Sequence, residues 1–507
     1  MKIALAQTNQ IVADIENNKN KIIAFADKAY NNGAEVVVFA NNSLQGGNIE
    51  SLSLINGFYK MLDCALDEIK QTVSIPLILT ANKNRKNIPV LIKNNNIEEI
   101  ENKVITINNN KFYFVIFDDV KDFEKLYEDK NISFTDNLVI LSCSFYYKGK
   151  TKYIRNFIKK FAKEKAVNIF YVNMAGAQDG CVYDGGSFSV LKSGNINNIA
   201  KLFDEDFLLT DTNVDNNLEY KTDLQEEMYK ALVLGLKDYC VKNGFTKVAL
   251  GVSGGIDSAL VAAIAADAVG SDNVLGVLMP SKYTSKESVV YAKDLCNRLK
   301  IKYEIVSIEN LYNSYINECS PVFKNTKKDL TEENLQARIR ANILMAFSNK
   351  FGYFILCTCN KSEDAVGYST LYGDMAGGYS VVGDLLKKDV YALANYRNSI
   401  SDVIPEEIIK RAPTAELREN QKDSDSLPEY DILDDILEKI LEKQMSYDEI
   451  LNSGIEETTL IKVYKLLFGS EYKRRVSPIS TKITETSFYK DIKFPMTNKY
   501  KICKKKN

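Results

Sequence analysis

Residues 247–266 read Lys247-Val248-Ala249-Leu250-Gly251-Val252-Ser253-Gly254-Gly255-Ile256-Asp257-Ser258-Ala259-Leu260-Val261-Ala262-Ala263-Ile264-Ala265-Ala266. In order, these are a short apolar run of strand type, a Gly-rich turn and an Ala-rich helix, so the turn opens a helix at the carboxyl end of a buried strand. The paired glycines let the backbone approach an anion without side-chain obstruction. The free amides at the helix start, aided by its dipole, point at pyrophosphate oxygens. Ser253 and Ser258 add hydroxyl donors. Asp257 in such a cradle would repel phosphate, so its natural place is on a Mg2+ ion bridging the phosphates. The stretch predicts an α/β fold that binds and cleaves ATP.

Outward from this turn, strand patterns at Lys247 to Val252, Val274 to Met279, Tyr303 to Ile308 and Tyr353 to Thr358 alternate with helical segments. That alternation requires a parallel sheet covered on both faces, a doubly wound arrangement. The N-terminal part alternates as well. Strands are expected at Lys2 to Gln7, Glu35 to Phe39, Phe112 to Phe117, Leu138 to Ser142 and Asn168 to Asn173, with helices at Asn17 to Tyr30 and near Tyr153 to Lys165. An acidic, Asn-rich stretch, 204–223, reads as a linker between domains at 1–203 and 224–507. Ile432, Ile436 and Ile440 with Leu433, Leu437 and Leu441 mark one face of a docking helix after Pro428, and the basic tail 501–507 reads as a solvated end.

Composition narrows the function. At 507 residues and a net charge of -2, the chain has room for substantial cores and no field favouring nucleic acid or anionic membrane. Nine cysteines with no CxxC pair suggest a reduced, cytoplasmic protein, and no segment is long and apolar enough to span a bilayer. Histidine is absent, which excludes every triad, proton relay or zinc site that needs an imidazole. Cys357 and Cys359 are expected on opposite faces of a strand, which argues against a metal or redox pair.

The turn at 253–258 resembles the signature loop of the ATP pyrophosphatases, a family that includes GMP, asparagine, argininosuccinate and NAD synthetases and tRNA-thiolating enzymes. The run from Asp329 to Arg340, then Asn360-Lys361-Ser362-Glu363, the segment from Val366 to Gly378, Pro413 to Arg418, Gln421-Lys422-Asp423, Asp425 to Pro428 and Glu471 to Arg475 are together similar to the glutamine-dependent NAD synthetases. The resemblance implies ATP-driven amidation of nicotinic acid adenine dinucleotide (deamido-NAD) to NAD in an adenine nucleotide alpha hydrolase-like domain. It assigns Asp257 and Glu363 to Mg2+, and Gly251, Ser253, Gly254, Gly255, Asp257, Ser258, Thr358, Lys387 and Thr414 to ATP. It assigns Asn334, Glu363, Tyr368, Ser369, Thr370, Leu371 and Lys473 to deamido-NAD, and makes Asp257, Glu363, Asp374 and Lys387 the catalytic set. Cys359, Gly383 and Leu386 depart from the family pattern around the ATP-side lysine.

The N-terminal part, through Ile3-Ala4-Leu5-Ala6-Gln7, Gly33 to Phe39, Tyr171-Val172-Asn173 and Tyr183 to Phe188, resembles the nitrilase-type glutaminase domain of the same enzymes, an α-β-β-α sandwich with a Glu-Lys-Cys triad. Here Asn41 stands at the position of the glutamate and Phe117 at that of the cysteine, and the segment that should carry the lysine is short, with Lys93 and Lys103 reading as surface residues. An amide is no base and a phenyl ring no nucleophile. Cys143 and Cys181 are the substitute nucleophiles on offer, neither with a carboxylate in the expected frame. The expectation is a homo-oligomeric NAD synthetase that uses free ammonia or ammonia from a separate protein. A glutamine-dependent enzyme with a rebuilt triad and a non-catalytic nucleotide sensor are the alternatives.

Overall fold

The computed structural model describes residues 1–500; the tail at 501–507 lies outside the described residues. The chain divides into two compact units, Met1–Glu227 and the residues from Met228 onward.

Among its described residues the first unit holds two six-stranded sheets and a two-stranded one. Alternation along the strands decides what each sheet face buries. Ile3, Leu5, Val36 and Val38 of the first large sheet share one core with Phe112, Phe114, Val139 and Leu141 of the second. Their neighbours Ala4, Ala6, Val37 and Phe39 point the other way, under the helices Ile15–Asn31 and Asn56–Thr72. On the far side, Leu138, Ile140, Ile169 and Tyr171 meet Ile154, Ile158 and Phe161 of the helix Lys150–Lys165. The result is the expected α-β-β-α sandwich. Each fully buried Leu, Ile or Phe contributes about 1.5–3 kcal/mol to it.

Part of the stretch read as a linker is structured. Asp206–Asp211 is a strand, paired antiparallel with Lys2–Gln7 from Asp206 opposite Gln7 to Asp211 opposite Lys2. Its acidic ends masked the alternation of Phe207 and Leu209, which pack toward the helices, with Leu208, which packs between the sheets. The region expected to be a short substitute for a lysine loop is a meander of strands, Leu77–Lys83, Lys86–Lys93 and Asn96–Glu99. Its turns place Asn84, Arg85, Asn94 and Asn95 at positive φ, the geometry that two-residue hairpin turns require and asparagine tolerates.

In the second unit the sheet is parallel throughout, in the order Lys302–Ile305, Val274–Leu278, Val248–Gly251, Phe354–Cys357, Tyr379–Ser380, Ile479–Ser480. From Val248–Gly251 the chain steps outward through two strands on one side, then returns to the other side. The strand order therefore reverses between Val248–Gly251 and Phe354–Cys357, which opens a crevice beyond their carboxyl ends. The Ala-rich helix Ile256–Val269 is buried along nearly its whole length. The helix Tyr430–Leu441 docks through Leu433, Ile436, Leu437 and Leu441 onto Leu460 and Val463. Ile432 is instead 44 % exposed, because adjacent apolar residues on a helix diverge by about 100° and six of them exceed one face. Among the described residues no helix is long and apolar enough to cross a membrane.

Candidate active site

The loop after Val248–Gly251 closes on itself through its own hydroxyls. Ser253 Oγ accepts from the amide of Gly255 at 3.2 Å and lies 3.1 Å from Ser258 Oγ, which donates to Gly255 O at 3.0 Å. Gly254 has φ +84°, and a Cβ there would lie 2.4 Å from the carbonyl oxygen of Ser288, so glycine is required twice over. Gly255 is the N-cap of the helix Ile256–Val269, whose first-turn amides face a cleft of about 300 Å3.

A second helix start meets this one. Asn360, at the end of the neighbouring strand's loop, caps the helix Lys361–Val366: its Oδ1 accepts from Glu363 N at 3.0 Å, and Glu363 Oε2 accepts from Asn360 N at 3.4 Å. The Asn360 amide also donates to Asp257 Oδ1 at 2.8 Å, which fixes that carboxylate across the crevice. Lys387, the first residue of the helix Lys387–Ile400, places Nζ 2.6 Å from Asp257 Oδ2 and 3.3 Å from Glu363 Oε1. Burial works against the Lys387 charge, but Asp257 and Glu363 outweigh it and hold its pKa above the ordinary value. Burial pushes the Glu363 carboxyl up to about 8, against the relief from Lys387 and with the repulsion of Asp257. With both carboxyls ionised the cluster would be short of positive charge, and the raised Glu363 pKa is the expression of that shortage.

Of the other residues expected at the site, Gly251, Thr358, Tyr368, Asp374 and Thr414 line the same cleft. Asp374 accepts from Thr370 N at 2.6 Å, and Thr414 Oγ1 donates to Gln421 O at 2.5 Å. Asn334, Ser369, Thr370, Leu371 and Lys473 stand outside its lining. They form a shell behind Tyr368: Thr370 Oγ1 donates to Asn334 Oδ1 at 2.8 Å, and Lys473 Nζ donates to the carbonyls of Gly367 and Ser369 at 2.7 and 2.6 Å. Sequence reasoning gave no role to two further groups in the cleft wall, Asp423 and Arg340, or to Tyr430 beside them. Asp423 accepts from Tyr368 OH at 3.2 Å and Tyr430 OH at 3.0 Å, and the Tyr430 ring lies 4.9 Å from Lys387 Nζ. Arg340 donates through Nε to Met279 O at 3.0 Å, and burial lowers its pKa to about 10 against the pull of Glu416 and Asp374. Asp423 and Arg340 each sit inside a quoted run, which was the available signal.

The expectation for Cys357 and Cys359 fails. Residues two apart in an extended chain share a face rather than opposing ones, and both thiols donate to the carbonyl oxygen of Asp374, at 3.4 and 3.5 Å.

Residues 228–477 match the family model described as NAD synthase. Over 99 % of its length the chain is 36 % identical to the glutamine-dependent NAD(+) synthetase of Aquifex aeolicus, all of which is covered, and equally to that of Thermotoga maritima, 99 % of which is covered. The chain belongs to the NAD synthetase family. Among solved structures, the glutamine-dependent NAD+ synthetase of Acinetobacter baumannii in complex with ADP superposes with a TM-score of 0.77 at 33 % identity, covering 99 % of each chain. The enzyme from Cytophaga hutchinsonii has a TM-score of 0.84 at 18 % identity over 98 % of each chain, a likeness of fold alone.

The glutaminase-like unit of this NAD synthetase does not bring Asn41 and Phe117 together. Phe117 packs outward, its ring 5.6 Å from Phe123. The residue that meets Asn41 is Asp118, whose two carboxylate oxygens accept from Asn41 Nδ2 at 3.0 and 2.8 Å, while Asn87 donates to Asn41 Oδ1 at 3.1 Å. Asp118 also accepts from Cys143 N at 2.7 Å, so Cys143 does have a carboxylate beside it, contrary to the sequence reading. Its thiol is buried, 3.6 Å from Met174 Sδ, and burial raises its pKa far above the ordinary thiol value. Cys181 is buried too. Lys103 is exposed, with Nζ on Glu99 O, and Lys93 sits at a hairpin end. A buried lysine of this unit, unmarked in the sequence, is Lys150, whose Nζ lies 2.7 Å from Asp184 Oδ1 and donates to Ser144 and Phe145.

Proposed function

We propose that this NAD synthetase uses ATP to adenylate the nicotinate carboxylate of deamido-NAD and then amidates it with ammonia, releasing AMP and pyrophosphate. A carboxylate is a poor electrophile because its charge is delocalised and oxide cannot leave. Attack of one carboxylate oxygen on the α-phosphorus expels pyrophosphate, and ammonia then adds to the acyl carbon and expels AMP. The observation that carries the reading is the convergence of the helix start at Gly255, the carboxylates of Asp257 and Glu363 and the ammonium of Lys387 at one crevice. The loop amides and Lys387 would hold the departing pyrophosphate, and the shell of Asn334, Thr370 and Lys473 behind Tyr368 would position deamido-NAD.

Among the described residues no three acidic, Cys or His side chains cluster into a metal cage. A hard divalent cation that takes one or two protein carboxylates and completes its shell with phosphate and water nevertheless suits Asp257 and Glu363, since Lys387 alone cannot balance both when they are ionised. When bound, Mg2+ would neutralise the charge that develops on pyrophosphate.

For the nitrogen source two readings stand. The names of the relatives favour glutamine, and the adjacency of Cys143 and Asp118 offers it a nucleophile and a carboxylate in a rebuilt site. The side chains themselves favour ammonia: the Asn41 amide is committed to Asp118, Phe117 faces away, and the Cys143 thiol is buried and held protonated. Free ammonia, or ammonia from a separate protein, is the reading adopted here. Pyrophosphate release that requires both ATP and deamido-NAD tests the reaction, since a nucleotide sensor would release none. Glutamate release from glutamine, and its loss in Cys143→Ala, separates the two nitrogen readings.

A further inference from the structure

Behind the cleft, the helix Tyr430–Leu441 carries one carboxylate on its buried side. Asp434 has no exposed surface and makes no ion pair among the described residues. Ser362 Oγ donates to Asp434 Oδ1 at 2.5 Å, and Lys388 N donates to Asp434 Oδ2 at 2.8 Å. Ser362 Oγ in turn accepts from Lys387 N at 2.9 Å. Ser362 precedes Glu363, so this carboxylate and one hydroxyl hold the backbones that carry Glu363 and Lys387. A buried carboxylate without a cation is costly, and an apolar residue would suit the surrounding Leu433 and Leu437 better if packing were all that the position required.

We infer that Asp434 is a positioning residue for the reaction, fixing Lys387 and Glu363 against Asp257 through Ser362 and the first turn of the helix Lys387–Ile400. The inference rests on the reaction proposed above. Asp434→Asn keeps the volume, but its amide cannot accept from both Ser362 and Lys388, so one donor loses its partner. At saturating ATP and deamido-NAD, Asp434→Asn is expected to lower kcat at least about 10-fold, the scale of a sub-ångström misplacement, while KM for ATP stays within about 3-fold. Ser362→Ala acts on the same link, so the double variant is expected within about 2-fold of the worse single one, not at the product of the two losses. Leu437→Ala, a core truncation on the same helix, is expected to lower the unfolding midpoint with kcat of the folded enzyme within about 2-fold of wild type.

Wild-type kcat in Asp434→Asn, multiplying losses in the double variant, or an equal loss in Leu437→Ala would each overturn the positioning role. NAD formation by the wild type separates the failures. Its absence overturns the reaction and this role with it, whereas its presence alongside any of those three results overturns the role alone.

Discussion

Asp257 and Glu363 reach one ammonium from two different helix starts, and their placement makes Asp257 the residue whose loss should be felt most. Asp257→Asn keeps the shape and the contact distance to Asn360 but removes a charge at the pyrophosphate end of the cleft. Turnover should fall by about 100-fold or more, the cost of losing a preorganised electrostatic contact, with the unfolding midpoint little changed. Pyrophosphate release by the purified variant measures it, and retention of more than about a tenth of wild-type turnover would remove Asp257 from the chemistry. A second residue-scale expectation concerns Cys143. Its thiol is buried and burial raises its pKa, which disfavours the thiolate. In the native protein at pH 8, alkylation followed by peptide mapping should label the exposed Cys64 and leave Cys143 unmodified until denaturant is added. Rapid labelling of native Cys143 would restore it as a nucleophile.

At the scale of elements, the strand–turn–helix at 248–269 joins the fold to the chemistry, and Gly254 is the point where that join is tightest. Gly254→Ala forces an L side chain into a positive-φ position and against Ser288 O. The variant should lose about 1–3 kcal/mol of stability and most NAD formation together, read from a denaturant melt and a coupled assay. Unchanged values would mean that the loop is more compliant than its contacts imply. This element was legible because hydrophobic periodicity and glycine chemistry are local. Lys2–Gln7 and Asn168–Asn173 were legible for the same reason. Asp206–Asp211 was not, since its acidic flanks hide three alternating apolar residues whose partner strand is some 200 positions away. The strands at 77–99 were hidden by polar, Asn-rich turns. Within the site, the residues on quoted runs were legible as a set, but which of them face the cleft depends on tertiary packing. The shared face of Cys357 and Cys359 was legible from their two-residue spacing, whereas the buried links from Asp434 leave no mark on local pattern.

For the whole molecule, the question is what a synthetase does with a glutaminase-like unit whose fold closes three cores while its sequence is read as having Asn41 and Phe117 in place of two triad members. Triad members act as a unit, so restoring one of them should restore nothing. Phe117→Cys should release no glutamate, and the outward packing of this position beside Phe123 sharpens that expectation, since the new thiol would not meet Asn41. Detectable glutaminase activity in that variant would mean that the remaining machinery is intact elsewhere. If ammonia is the donor, its apparent efficiency should rise with pH as ammonium gives up its proton, because only the neutral amine attacks the adenylate. A flat profile would point to delivery from a protected source. The most direct measurement is NAD formation by the purified chain with ATP and deamido-NAD, with an ammonium salt or glutamine as the sole nitrogen donor. The expected result is NAD with ammonium, and with glutamine neither NAD above the nitrogen-free blank nor glutamate; NAD from glutamine with matching glutamate release, abolished by Cys143→Ala, would contradict it.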